Sequence, residues 1–173
     1  FGKLNLDLDL KNFNLSNINF NFEKISNDTY LKVFDANIVS KELKPDNFDE
    51  LKNEIQLNLE HDKFVFNAGI RAFEDLQKKN SDRYQFVFPY YDFNTIISDD
   101  FLNGFLSLGS SGTNDLKNTN NLRSRIINDL SYKSEDFITN LGIKNNINLN
   151  LKNLYFLGKN DNEYKSSPQL ELL

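Results

Sequence analysis

From residue 136 to 151 the chain alternates with a period of two. Phe137, Thr139, Leu141, Ile143, Ile147, Leu149 and Leu151 occupy odd positions, and Asn140, Lys144, Asn146, Asn148 and Asn150 occupy even ones. Successive side chains of a β-strand point to opposite faces, so this writing specifies a strand with one apolar and one polar face. The same pattern recurs along the chain in long runs with few interruptions. An antiparallel sheet whose two faces meet different surroundings is written this way. Lipid on one side and water on the other is one such pair.

Composition narrows the choices. The 173 residues suffice for one domain with a core, so size alone demands no disulfide or metal. Cysteine is absent, which removes a disulfide scaffold, a thiol nucleophile and thiolate zinc sites. A net charge of -5 leaves no basic footprint for nucleic acid. Lys and Asp/Glu are interspersed, as on a solvated surface or lumen. Mean hydropathy is -0.56 and no run approaches the roughly 18 apolar residues of a membrane helix. Barrel strands escape that test, because half their residues are polar. A chain that begins at Phe1 and contains no Met reads as an internal piece or a processed product, so a missing signal peptide says nothing about export.

Leu4, Leu6, Leu8 and Leu10 alternate with Asn5, Asp7 and Asp9 in a first strand. A second carries Phe13 and Leu15, then Ile18, Phe20 and Phe22, and its change of phase near Ser16-Asn17 suggests a bulge or short turn. Residues 29–35 read as a short third strand and 39–50, with Pro45, as a loop. Leu51 to Leu59 and Phe64 to Ala72 alternate on either side of the polar tip Glu60–Lys63, a hairpin signal. Residues 46–55 also fit a helix through Phe48, Leu51 and Ile55, and 71–79 are similarly ambiguous, but the alternation beyond Ile55 favours strand. Tyr84 to Phe93 is an aromatic strand in which Pro89 calls for a bulge or an edge. Strands follow at Phe101–Gly109, Leu122–Tyr132, 136–151, Tyr155–Leu157 and 167–173, with turn-rich loops at Ser110–Asp115 and Gly158–Glu163. The whole is roughly nine to eleven strands with no convincing helix, an all-β antiparallel up-and-down meander forming one unit over residues 1–173.

Residues that carry chemistry are few. His61 is the single histidine and sits at the expected hairpin tip, where a surface position is the simplest account. Leu108-Gly109-Ser110-Ser111-Gly112 is not a nucleophile elbow, since neither the spacing nor the strand-to-helix setting is present. Asn160, Asp161, Asn162 and Glu163 are oxygen-bearing, but the central glycine and spacing of a calcium loop are missing. The residues therefore point to no enzyme, no catalytic residue, no cofactor and no metal site. Tyr30, Tyr84, Tyr90, Tyr91, Tyr132 and Tyr155 fall near expected strand ends, where aromatic girdles of a membrane barrel sit and where tyrosine also settles in ordinary sheets.

Three collinear stretches resemble a known family. They are Ile25-Ser26-Asn27-Asp28-Thr29-Tyr30-Leu31-Lys32; Ala72-Phe73-Glu74-Asp75-Leu76 followed by Arg83-Tyr84-Gln85-Phe86-Val87-Phe88-Pro89-Tyr90-Tyr91; and Gly104 to Gly112 before Asn121-Leu122-Arg123-Ser124-Arg125. In order and spacing they are similar to the barrel region of LptD (OstA/Imp), the lipopolysaccharide-assembly protein of the Gram-negative outer membrane, especially its alphaproteobacterial forms. The similarity runs from about residue 20 to the C-terminus. It implies part of a transmembrane β-barrel domain, without the family's periplasmic jelly-roll domain and closing strands. The implied partners are lipopolysaccharide, an LptE-like plug lipoprotein, the periplasmic lipopolysaccharide bridge and membrane lipid, with no nucleic acid. The polar face here is richer in Asn than the family's.

On that reading Leu4, Leu6, Leu8, Leu10, Leu141, Ile143, Ile147 and Leu149 face lipid. Asn5, Asp7, Asp9, Lys144, Asn146 and Asn148 face a hydrated lumen. Two rivals write the same alternation: another outer-membrane barrel, such as a porin or TonB-dependent transporter, and a soluble β-sandwich or solenoid serving as an adhesin-like module. A strand of roughly 14 residues at 136–151 exceeds the usual globular range and speaks against the soluble forms. If Leu149 lies near mid-bilayer, a charge there weakens insertion by about 2–4 kcal/mol and one at Asn148 is tolerated. Equal tolerance in an insertion assay would refute this facing.

Overall fold

Alternating runs become ladders wherever two of them lie antiparallel, because each backbone N–H and C=O then finds a partner across the gap. The computed structural model describes residues 1–34, 47–118, 121–160 and 163–172. Its strands are β1 (Gly2–Asp7), β2 (Leu15–Phe22), β3 (Glu50–His61), β4 (Phe64–Asp75), β5 (Tyr84–Ser98), β6 (Gly104–Lys117), β7 (Asn121–Ser134), β8 (Phe137–Ile138), β9 (Lys144–Asn145), β10 (Asn148–Asn160) and β11 (Glu163–Leu172). Nine of them form one antiparallel sheet in the order β1-β2-β3-β4-β5-β6-β7-β10-β11, and β8-β9 is a separate two-stranded hairpin. The sheet is an open meander, not a closed barrel. From β3 onward its strands before β11 are 12 to 15 residues long.

Several expectations are met in detail. The hairpin between β3 and β4 forms, and its loop is only Asp62-Lys63 because Glu60 pairs with Val65 and His61 with Phe64. Residues 50–55 and 71–75 are strand, not helix. The ladders on both sides of β5 shift register around Phe88-Pro89, where proline has no N–H to give.

Others are corrected. Residues 30–34 form a short helix, α1 (Tyr30–Phe34), where a strand was expected over 29–35. Asn27 starts it: its side chain accepts from Thr29 N–H at 3.0 Å, and its carbonyl accepts from Tyr30 N–H at 3.0 Å. The turn-rich stretch Ser110–Asp115 lies inside β6. Its small residues serve flatness, not turning: Gly112 pairs with Tyr91, whose ring occupies the space a Cβ would need.

The long strand at 136–151 is broken. Gly142, with φ of 77°, donates from its N–H to Thr139 O at 2.8 Å and closes a turn. The chain rejoins the sheet where Ser134 N–H meets Ile147 O at 2.8 Å, just before β10. No bulge exists at Ser16-Asn17, since β2 pairs with β3 without a break and Leu15 simply lies on the polar side. Gly158 continues β10 and does not open a loop. Tyr84 and Tyr132 lie near strand ends, but Tyr90, Tyr91 and Tyr155 lie within strands. Residues 35–46, including the expected loop around Pro45, and Asp161-Asn162 lie outside the described residues.

Packing is concentrated at one end. Residues 23–34 cross the sheet there as a strap that buries Leu31 against Leu51 and Leu76, with Phe1, Ile25 and Phe48 around them. Beyond that cluster, Val87 and Tyr90 are the buried hydrophobic side chains among the described residues. A methyl group at Gly112 overlaps the Tyr91 ring, so Gly112→Ala costs about 1–3 kcal/mol in chemical denaturation. Combining it with Tyr91→Ala recovers part of that loss in a double-mutant cycle.

Candidate functional site

Directly opposed residues of neighbouring strands share a face, so the ladder registers sort every side chain. One row runs Leu6, Ile18, Leu57, Ala68, Tyr91, Gly112, Ile126, Tyr155 across eight strands. It contains no charge. The next row, on the opposite face, runs Asn5, Asn19, Gln56, Gly69, Tyr90, Thr113, Arg125, Phe156. The feature to explain is the apolar face, which nothing in the described chain covers beyond the strap. Phe88 is 65% exposed, Phe22 60% and Ile55 43%.

The polar face is held by side-chain pairs. Asn5 donates to Asn19 at 2.7 Å and Asn58 to Asn17 at 2.8 Å. At its centre Glu54 accepts from Tyr90 OH at 2.8 Å, meets Lys52 Nζ at 2.6 Å and is paired with Arg71 Nε. The Arg71 guanidinium lies 3.9 Å from the centre of the Tyr90 ring, and Gly69 beneath leaves room for that ring. The division is less clean toward β7 and β10. Ile127, Leu154 and Phe156 enter the polar face, while Ser110–Asn128 at 2.7 Å and Ser124–Asn114 at 2.5 Å form polar pairs on the apolar one.

A second cluster lies at the strap. Arg83 donates through both terminal nitrogens to Asp28, at 2.9 and 2.7 Å, and through Nε to Glu74 at 2.7 Å. Lys24 Nζ donates to Glu74 at 3.4 Å, and Tyr84 OH donates to Glu74 at 3.3 Å. Asp28, Glu74 and Arg83 belong to separate stretches of the sequence and meet here. The Arg83 hydrogen bonds hold the Asp28 carboxyl below the usual carboxylate range, and the same pairing raises Arg83.

The residues singled out in the sequence do not form one constellation. Leu4 and Leu6 share the apolar face with Phe20 and Ile18, and Asn5 and Asp7 share the polar face with Asn19 and Asn17. Leu8, Asp9 and Leu10 follow the end of β1, with Asp9 in a left-handed turn. Leu141 and Ile143 sit in the turn of the β8-β9 hairpin, and Leu141 is 86% exposed. Lys144 Nζ, at 2.7 Å, and Asn146 Nδ2, at 3.2 Å, both hold Asp136. Asn146 and Ile147 link β9 to β10, whose first residues are Asn148 and Leu149. His61 is stacked on Phe64 at 5.1 Å and edge-on to Phe13 at 5.7 Å, half-buried, and accepts at Nδ1 from Lys63 N–H at 3.2 Å.

Sequence reading missed the Glu54–Arg71–Tyr90 group and the Asp28–Arg83–Glu74 cluster as units. Alternation put Glu54 between apolar neighbours, but only register sets it opposite Arg71. Among the described residues no three carboxylate or histidine groups are placed to hold a metal, and no helix is long and apolar enough to cross a membrane.

A carboxylate with a depressed folded-state pKa stabilises fully above its unfolded value and ceases to do so as pH falls through the folded one. Acidification through the Asp28 value therefore loosens the strap. Amide-exchange protection at Lys32 and Val33, whose N–H groups bond to Thr29 O at 3.1 Å, drops in that window. Asp28→Asn removes this pH-dependent step, and a wild-type-like step in the variant refutes the assignment.

No protein-family model and no curated protein matches this chain.

Proposed function

We propose that this sheet is a stretch of the wall of a transmembrane β-barrel, and that the barrel is of the LptD kind, delivering lipopolysaccharide to the outer leaflet of the outer membrane. One observation carries the barrel: a row without charge runs across eight strands, most of them 12 or more residues long, on a face that nothing among the described residues covers beyond the strap. Water does not tolerate a patch of that extent, whereas hydrocarbon does. Edge strands β1 and β11 would then pair with further strands of a closed barrel, since an open edge in lipid leaves backbone groups unsatisfied.

The LptD assignment rests on the three similar stretches. Two of them supply Asp28, Glu74 and Arg83, the residues of one ion cluster, so they have a common physical reason to occur together. Function on this reading is physical and not catalytic. The apolar rows contact acyl chains. The amide and charged rows border the hydrated lumen, where the plug lipoprotein and the passing saccharide would meet Asn and Asp side chains. The polar pairs on the apolar face at β6-β7 favour a second reading, a soluble sandwich in which that face packs against another sheet.

Circular dichroism with sedimentation separates the two. Aggregation in plain buffer with β-structure in micelles supports the membrane barrel; a soluble monomer unfolding cooperatively in urea without detergent supports the sandwich. In micelles or vesicles, Leu57→Arg at the centre of β3 costs about 2–4 kcal/mol while Asn58→Arg costs little. Leu149, the second residue of β10, lies nearer the strand end and is expected to cost only about 0–1 kcal/mol as Arg.

A further inference from the structure

The chain has four arginines, and the structure treats them in two ways. Arg71 is held by the Glu54 carboxylate, and Arg83 by those of Asp28 and Glu74. Arg123 and Arg125 are both exposed, and neither is paired with a carboxylate among the described residues. They lie two residues apart on β7, so both belong to the polar face, their backbones about 7 Å apart along the strand. The ladders fix what surrounds them. Arg123 is opposed by Asp115 on β6 and Gly158 on β10, and Arg125 by Thr113 and Phe156. Asp115 stands opposite Arg123 without forming an ion pair with it. Thr113 Oγ1 is buried without a hydrogen-bond partner, so it does not hold Arg125. Gly158 has no side chain to offer, and the Phe156 ring leans over it, 3.0 Å from where a Cβ would stand. Lys117, two residues beyond Asp115 on the same face of β6, is a third exposed cation. Asp129, further along this face of β7, is engaged by Lys152 at 3.5 Å. Three cations therefore stand around one anion, on a chain whose net charge is -5.

We propose that Arg123 and Arg125 together clamp one oxyanion, a phosphate or a carboxylate carried by a hydrated ligand. The inference rests on the reading of the polar face as the hydrated side and deepens it, by naming the group that a passing solute presents to this part of the wall. Two physical reasons select this ligand. Like charges on neighbouring positions of one face repel, and an oxyanion between them is attracted to both, whereas a cation or a neutral group removes no repulsion. A guanidinium presents its N–H donors as a planar fork that matches the paired oxygens of a carboxylate or phosphate. Elsewhere in this chain the carboxylates of Glu54, Asp28 and Glu74 fill that role, and here the opposed residues leave it to a ligand.

The test titrates the whole isotope-labelled chain in detergent micelles with inorganic phosphate, glucuronate or uncharged glucose, and follows the four arginine Nε–H signals by NMR. The Arg123 and Arg125 signals are expected to move together and to saturate with one midpoint for an anion. Arg71 and Arg83 stay still, and glucose moves none of the four. The anion with the lower midpoint identifies the bound group. Arg125→Lys keeps the charge but loses the fork, so the affinity read at Arg123 falls several-fold. Lys133→Gln removes an exposed cation from the far end of the same face of β7 and leaves the affinity unchanged. Shifts that do not saturate, or full affinity in Arg125→Lys, overturn the clamp, leaving diffuse attraction to positive charge and the barrel reading intact. A chain without β-structure in micelles lacks the ladders that make either face, and overturns the clamp together with that reading.

Discussion

Cross-strand register is the constraint on which this molecule depends. A strand's side chains alternate strictly, so shifting one ladder by a single residue would turn a whole strand's apolar set to the other side. Here seven consecutive ladders keep phase from Leu6 to Tyr155, and the one place where two ladders slip, beside Phe88-Pro89, is absorbed without losing it. Both faces follow from that agreement. The Glu54–Arg71–Tyr90 group exists because Gly69 and Tyr90 are opposed, and Tyr91 lies flat because Gly112 is opposed to it.

A single layer of sheet cannot bury its own apolar side, and the contrast with the strap makes the point. Where residues 23–34 fold over the end of β3 and β4, Leu31 and Leu51 are fully buried and the charges of Lys24, Asp28, Glu74 and Arg83 balance one another. Elsewhere, among the described residues, the apolar rows carry no second layer. That division is what a membrane wall anchored by an end cap would present: ordinary protein packing at the rim, and hydrocarbon-compatible surface between the rims.

Legibility of the fold followed the range of the interactions involved. Alternation, the β3-β4 hairpin and the irregularity at Pro89 depend on neighbours along the chain and could be read directly. Leu4, Leu6, Asn5 and Asp7 sort onto opposite faces for the same reason. Small polar residues were misread because the same types serve two purposes. Ser110 to Asp115 resemble a turn, yet they lie flat in β6 where Tyr91 needs room; Gly142 resembles one more strand residue, yet its left-handed backbone folds 136–147 into a hairpin.

The sequence by itself determined that this chain is an all-β meander with one apolar and one polar side, because period-two patterning is a local property of the strand. Only the tertiary structure decided which polar residues meet. Asp28 and Arg83 are 55 residues apart, Glu54 and Tyr90 are 36 apart, and no spacing rule predicts such pairs. It also decided that Asn53 and Ala72 lie side by side between aromatic walls, since a depression in a sheet is made by residues from different strands in one register.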